Sequence, residues 1–224
     1  LMMICQLMGT LFTVWIFQKF ISKERFISIG LDFINYKNDF YQGLAVGTGL
    51  ISIGFFTLII LNLTSIDLTY FSIYDQLFYF FLFIVVSLNE EIAIRGYILH
   101  NLSQSFNKYI ALIISSFVFM GMHLGNPNIG VLPLMNLFLA GIFLGVYRIH
   151  KNNLWFPIGA HLMWNYLQGP IYGFEVSGNK INSLFEQKLN GHELLTGGNF
   201  GYEGSIILTV FLIISIFLMD KRFR

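Results

Sequence analysis

Charge is what this chain has least of. Asp, Glu, Lys and Arg make up 11% of its 224 residues, hydrophobic residues make up 55%, and the mean hydropathy is +0.67. A soluble domain of this length needs more polar surface than those charges supply, whereas lipid covers apolar surface directly. The formal net charge is +1. In a membrane-protein composition that value says nothing about nucleic acid, and no nucleic-acid partner is expected; basic residues matter by where they fall between spans. Cysteine is limited to Cys5, which excludes an intrachain disulfide and reads as a small lipid-facing or packing residue. No charged stretch precedes the first apolar run, as a cleavable signal peptide would require. Since Leu1 already lies inside that run, a trimmed N-terminus is expected.

Three protease signatures are also missing. No His-Glu-x-x-His helix is present, so the strongest local zinc-protease pattern is absent. Ser87, Ser115 and Ser116 lack a surrounding Gly-x-Ser-x-Gly, and hydroxyls in membrane helices commonly bond to backbone. Asp67 and Asp75 fall in a loop or at a span edge, where they do not form an intramembrane aspartate pair.

What is present is a series of long apolar runs. They predict an all-α, polytopic transmembrane bundle of about seven to eight helices in one domain over residues 1–224. The spans read as 1–17, 44–63, 75 to 100 or 103, 109–123, 129–150, 154–167 and 205–219. Residues 26–40 read as interfacial, 64–75 as a loop and 169–204 as a polar segment. The sixth span is expected to be interrupted by Pro157 and Gly159. Gly47, Gly49 and Gly54, and the pair Gly141 and Gly145, suit close helix packing. With this topology, Lys19, Lys23, Arg25, Lys37, Lys108, Arg148, Lys151, Lys221, Arg222 and Arg224 fall on one side. Lys180 and Lys188 fall on the other. Positive charge gathers on the cytoplasmic side, so a multi-pass protein of the cell membrane with a cytoplasmic C-terminus is expected.

Against this apolar background stands Asn89-Glu90-Glu91-Ile92-Ala93-Ile94-Arg95-Gly96. Ionisable groups at membrane depth cost several kcal/mol unless paired or hydrated, which makes them functional candidates. On a continuing helix Glu91 and Arg95 lie at i and i+4 and neutralise each other. Glu90 points about 100° away, free of a local partner. Two histidines share the apolar setting, His123 and His161, with Asn165 one turn beyond the latter. A lone histidine of this kind is usually a packing residue. These groups together are costly to expose separately to lipid and are expected to converge on one polar pocket. His100, His150 and His192 read as interfacial or solvated.

The set fits peptide hydrolysis by water. Glu90 would act as base, His123 would hold the water, and His161 with Asn165 would stabilise the oxyanion. The same residues, Glu90, His123 and His161, would alternatively supply three ligands of a catalytic Zn, with water in the fourth position.

In order and spacing, Glu90-Glu91-x-x-x-Arg95-Gly96, Phe119-x-x-x-His123 and His161-x-x-x-Asn165 resemble the CPBP family of intramembrane proteases, also called the Abi or type II CAAX prenyl endopeptidase family. The lead Asn153-Leu154-Trp155-Phe156-Pro157-Ile158-Gly159-Ala160-His161 is similar as well, and the resemblance covers about 83–169. Ile94 departs from the aromatic residue common before the arginine. The resemblance implies a membrane endopeptidase, with Glu90 as base supported by Glu91 and Arg95. It also implies His123 activating water, and His161 and Asn165 lining the site. Its substrate would be a membrane-associated peptide or protein, in bacterial members linked to bacteriocin processing and self-immunity. Two other classes remain: a non-catalytic immunity or scaffold protein, and a proton-coupled transporter. The lack of an inverted repeat weighs against transport.

Overall fold

A computed structural model describes residues 1–68 and 71–224. Helix α1 (Met2–Phe17) runs on through a π-helical turn, Gln18–Ser22, and a short 3-10 turn, Phe26–Ile29, leads into α2 (Phe33–Ile60). The carboxylate of Asp32 caps α2 by accepting from the Asn35 amide. Helix α3 (Ile73–Glu91) is capped by Ser72 and continues through a π-helical segment, Ile92–Ile98, into α4 (Leu99–Ser105). Helices α5 (Lys108–Met122), α6 (Val131–Lys151) and α7 (Trp155–Tyr166) follow, then the short α8 (Glu193–Thr196) and finally α9 (Ile206–Phe223). The fold is an all-α helical bundle, as composition and periodicity imply.

Among the described residues four stretches are long and apolar enough to cross a membrane: Met2–Ser22, Phe26–Ile60, Ile73–Ser105 and Val131–Lys151. With its apolar surface, the chain is an integral membrane protein. The other expected spans are shorter for a physical reason. At 1.5 Å per residue, the 12 residues of α7 reach about 18 Å, well under the ~30 Å hydrocarbon thickness. Residues Phe156 to Leu162 of α7 are buried, so this helix is wrapped by protein instead of lipid.

Three expectations need correction. Residues 26–40 do not form one interfacial stretch, because α2 already begins at Phe33. Pro157 and Gly159 do not interrupt α7. Proline in a first helical turn gives up an amide that has no intrahelical acceptor, and Gly159 lets α7 meet the backbone of α2 at Phe40 and Leu44. The approach is reciprocal, since Gly43 and Gly47 of α2 face the backbone of Phe156 and Ala160. The third correction is a two-stranded antiparallel sheet within segments read as loop and polar segment. Strand β1 (Thr64–Leu68) pairs with β2 (Phe185–Leu189) in the register Thr64 to Leu189 and Leu68 to Phe185.

The bundle ends in two different polar layers. At one end the helix termini carrying most of the Lys and Arg are tied together. His100 bonds Glu24 at 3.1 Å, His150 bonds Asp220 at 2.9 Å, the Arg148 guanidinium donates to the Ile29 carbonyl, and Asn153 donates to Asp39. His100 and His150 are therefore partnered at this end and not simply solvated. At the other end lie the two-stranded sheet and the polar connections. There Asn128 donates to the Asn199 carbonyl, and Asn136 donates to the carbonyls of Glu203 and Ser205.

Candidate active site

Glu90 and Glu91 sit at the end of α3, just where the helix widens into the π-helical segment Ile92–Ile98 that carries Arg95. Such π turns recur at functional sites. Glu91 is fully buried and Arg95 is 1% exposed. One carboxylate oxygen of Glu91 accepts from two groups: Arg95 Nη1 at 2.9 Å and His161 Nδ1 at 2.8 Å. Arg95 is further held by the Gly141 carbonyl of α6 at 3.2 Å and by the face of Phe119, 4.3 Å from its guanidinium carbon. Around this anchor α3, α5, α6 and α7 are fastened to one another.

Glu90 lies on a different face and reaches into a cavity of about 340 Å³. Its Oε2 is 3.9 Å from His123 Nε2 and 3.9 Å from His161 Nε2, and this buried oxygen makes no hydrogen bond among the described residues. His123 is not inside its helix but caps the end of α5, with Nδ1 2.8 Å from the Phe119 carbonyl. A carbonyl only accepts, so the proton is on Nδ1 and, in the neutral ring, Nε2 offers a lone pair. The same holds for His161, whose Nδ1 donates to Glu91. Three acceptor atoms thus face one small region at the depth of Glu90.

Every site residue read from the sequence belongs to this assembly. Glu90, His123, His161 and Asn165 line the cavity, while Glu91 and Arg95 lie behind it. The side chain of Asn165 is one helical turn beyond His161 along the same wall. Sequence reasoning missed several wall residues. Asn89 accepts from Thr10 of α1 at 2.7 Å, and Asn136 bonds Thr209 as well as the two carbonyls above. Glu203 is fixed by the amide and hydroxyl of Ser177 at 2.8 and 2.9 Å. Asn89 adjoins Glu90 in the α3 motif, whereas nothing in local spacing marks Asn136 and Glu203, which come from segments far from it in the chain. Gly141 was read as a packing residue, and it also supplies a carbonyl to Arg95.

Among the described residues no group of three or more His, Cys, Asp or Glu is arranged to hold a metal ion. The donor types of Glu90, His123 and His161 suit zinc. Donors at 2.0–2.1 Å around a tetrahedral zinc, however, lie roughly 3.3 Å apart, closer than the 3.9 Å between Glu90 and each histidine. As placed, the three do not fit the ion.

With this geometry in view, the comparison with protein families becomes specific. Residues 72–167 match the Rce1-like family, type II CAAX prenyl endopeptidase Rce1-like. The Rce1-like segment contains Glu90, Glu91, Arg95, His123, His161 and Asn165, and leaves out α1, α2 and everything after Leu167. No curated protein and no solved structure matched the chain. The Rce1-like match implies a peptide hydrolase, of the CAAX-type intramembrane kind, working on a peptide in a lipid environment.

Proposed function

We propose that this protein is an intramembrane endopeptidase in which Glu90 activates water for attack on a peptide bond. The observation that carries the reading is the position of Glu90 Oε2, 3.9 Å from the Nε2 atoms of both His123 and His161. Polar atoms separated by more than 3.5 Å are commonly joined through a water. A single water among these three acceptors would donate to two of them and present its own lone pairs to a substrate. The lock on each histidine, by the Phe119 carbonyl and by Glu91, keeps Nε2 free for that water.

In the reaction, the water oxygen bonds to the carbonyl carbon as Glu90 takes its proton. The tetrahedral oxyanion then collapses, the C–N bond breaks, and the proton passes from Glu90 to the departing amine. Asn165, on the cavity wall, would donate its amide N–H to the oxyanion. Glu91 and Arg95 act through others: they position His161 and tie α3 to α5 and α6. The walls include Leu82, Phe83, Val86, Phe119 and Leu137. They suit an apolar peptide segment, and small membrane-active peptides of the bacteriocin kind belong to that class.

The test is cleavage of a membrane-embedded peptide by the purified chain in nanodiscs. Glu90→Gln is expected to lower the rate by 10²–10⁴, the usual contribution of a positioned base, with unchanged thermal unfolding. A chelator arm asks whether an added ion takes part. Cleavage by Glu90→Gln at the native rate would overturn the assignment.

A further inference from the structure

The cavity belongs to one end of the bundle. Several helices line it from the portion nearer the layer that holds the two-stranded sheet: Met3 and Gln6 at the start of α1, His123 at the end of α5, His161 and Asn165 in the second half of α7, and Leu208 at the start of α9. Asn126 and Asn179, from the connections of that layer, complete the lining. Nothing that lines it comes from the opposite end, where Lys19, Lys23, Arg25, Lys108, Lys151, Lys221, Arg222 and Arg224 lie at or just beyond the ends of the helices. There the connections are closed by direct bonds, from Leu154 N to the Gly30 carbonyl, from Ser22 to Asn101 and from Tyr109 to Asp220.

Basic residues flanking spans stay in the cytoplasm. We infer that the cavity opens on the membrane face opposite the basic helix ends, so that a peptide is received and cut from the non-cytoplasmic side. Its exposed lining includes apolar Met122 beside polar Gln6 and Asn179. This fits a peptide whose apolar part lies in the outer half of the bilayer and whose polar part projects outward. A short cytoplasmic tail would have to pass the closed basic layer.

That a peptide is what enters rests on the proposed hydrolysis, whereas the side of access rests on the fold alone. The experiment is therefore labelling, which needs no turnover. In the full chain with Cys5→Ser, Asn179→Cys and, separately, the neighbouring exposed Lys180→Cys report the cavity end, and Lys151→Cys reports the basic end. Intact cells expressing each variant are treated with a membrane-impermeant maleimide and compared with detergent-opened cells, in which all three should react. The expected result is labelling at 179 and 180 in intact cells at least tenfold above that at 151. Labelling at 151 alone, or at none of the three until the membrane is opened, would overturn the inference. Loss of cleavage in Glu90→Gln bears only on the hydrolysis, so the two failures are distinguishable.

Discussion

Replacing Glu91 with glutamine removes one charge from the centre of the bundle while keeping its shape. The native carboxylate is fully buried and faces a guanidinium that is 1% exposed, at 2.9 Å. Removing one partner of such a pair typically costs about 3–5 kcal/mol, because the other charge is left uncompensated. Two contacts remain to Arg95, the Gly141 carbonyl at 3.2 Å and the ring of Phe119. A desolvated cation over an aromatic face contributes about 2 kcal/mol, and both contacts are already present in the native protein, so neither offsets the loss. The glutamine carbonyl can still accept from His161 Nδ1, so the imidazole keeps its orientation and the main effect falls on stability. The assay is reversible unfolding by SDS in mixed micelles, for Glu91→Gln, Arg95→Met and the double variant. Each single change is expected to lower stability by about 3–5 kcal/mol. The double is expected to lose less than the larger single loss, because both buried charges are gone. Additive losses, or a Glu91→Gln protein as stable as the native one, would refute the claim that this pair fastens the helices around the site.

Three further outcomes follow from the packing and the polar layers. Gly47→Ala places a methyl against the Ala160 backbone, whereas Gly49→Ala meets nothing within 4 Å. The first is expected to cost about 1–3 kcal/mol and to reduce cleavage through displacement of His161, while the second should be neutral or slightly stabilising; equal effects in SDS unfolding would contradict the α2–α7 contact. Tyr202 is buried with its hydroxyl unpartnered among the described residues, and burial pushes that hydroxyl's pKa up. Tyr202→Phe should therefore change stability by less than about 1 kcal/mol, and a loss above about 2 kcal/mol would reveal a partner. Finally, the hydrogen bond from His100, joined by one from Ser28, holds the Glu24 carboxyl below its ordinary value of 4.5. A depressed carboxylate stabilises the fold above that value, and the contribution disappears as pH falls through the lower folded value. Because Glu24 is 35% exposed, the effect should stay under about 1 kcal/mol, and Glu24→Gln should flatten the stability profile below pH 4.5 while leaving cleavage unchanged.

How much of this was legible in the sequence depends on whether a feature is local. The α3 motif was, because charge in an apolar run is conspicuous and because an i, i+4 spacing puts Glu91 beside Arg95 on any helix. The meeting of Glu90, His123 and His161 followed from polarity alone, since lipid leaves such groups few alternatives to one another. The π-helical turn at Ile92–Ile98 was not legible. No residue type demands it, and it is fixed by how α3 must turn between α1 and α5 to bring Arg95 under Phe119. The two-stranded sheet was equally hidden, because β1 and β2 are separated by more than a hundred residues and each is too short and too polar to announce a strand. The sixth span lies where it was read, but its expected interruption does not occur: Pro157 and Gly159 look like breaks only if lipid surrounds them. Wrapped by α2 and α3, the proline sits in a first turn that does not need its amide, and the glycine is the contact.

The same contrast decides how the site is built. Glu91 places both of its strong contacts on a single oxygen, and its other oxygen, like Oε2 of Glu90, makes no hydrogen bond among the described residues; what sets Glu90 apart is its place on the cavity wall, 3.9 Å from His123 and His161. Arg95 stands at i+4 from Glu91 but at i+5 from Glu90, so the guanidinium takes the Glu91 carboxylate. One residue of rotation separates them, about 100° on a helix, and sends Glu91 inward to the guanidinium and Glu90 outward to the cavity. His161 is the element common to both, with Nδ1 on Glu91 and Nε2 toward Glu90. In the proposed reaction its two nitrogens would transmit the position of the buried pair to the attacking water. For that reason a change confined to Glu91 or Arg95, neither of which lines the cavity, should still be felt in the pH profile and rate of cleavage, whereas a change at His123, held by a backbone carbonyl, should leave the stability of the bundle nearly intact.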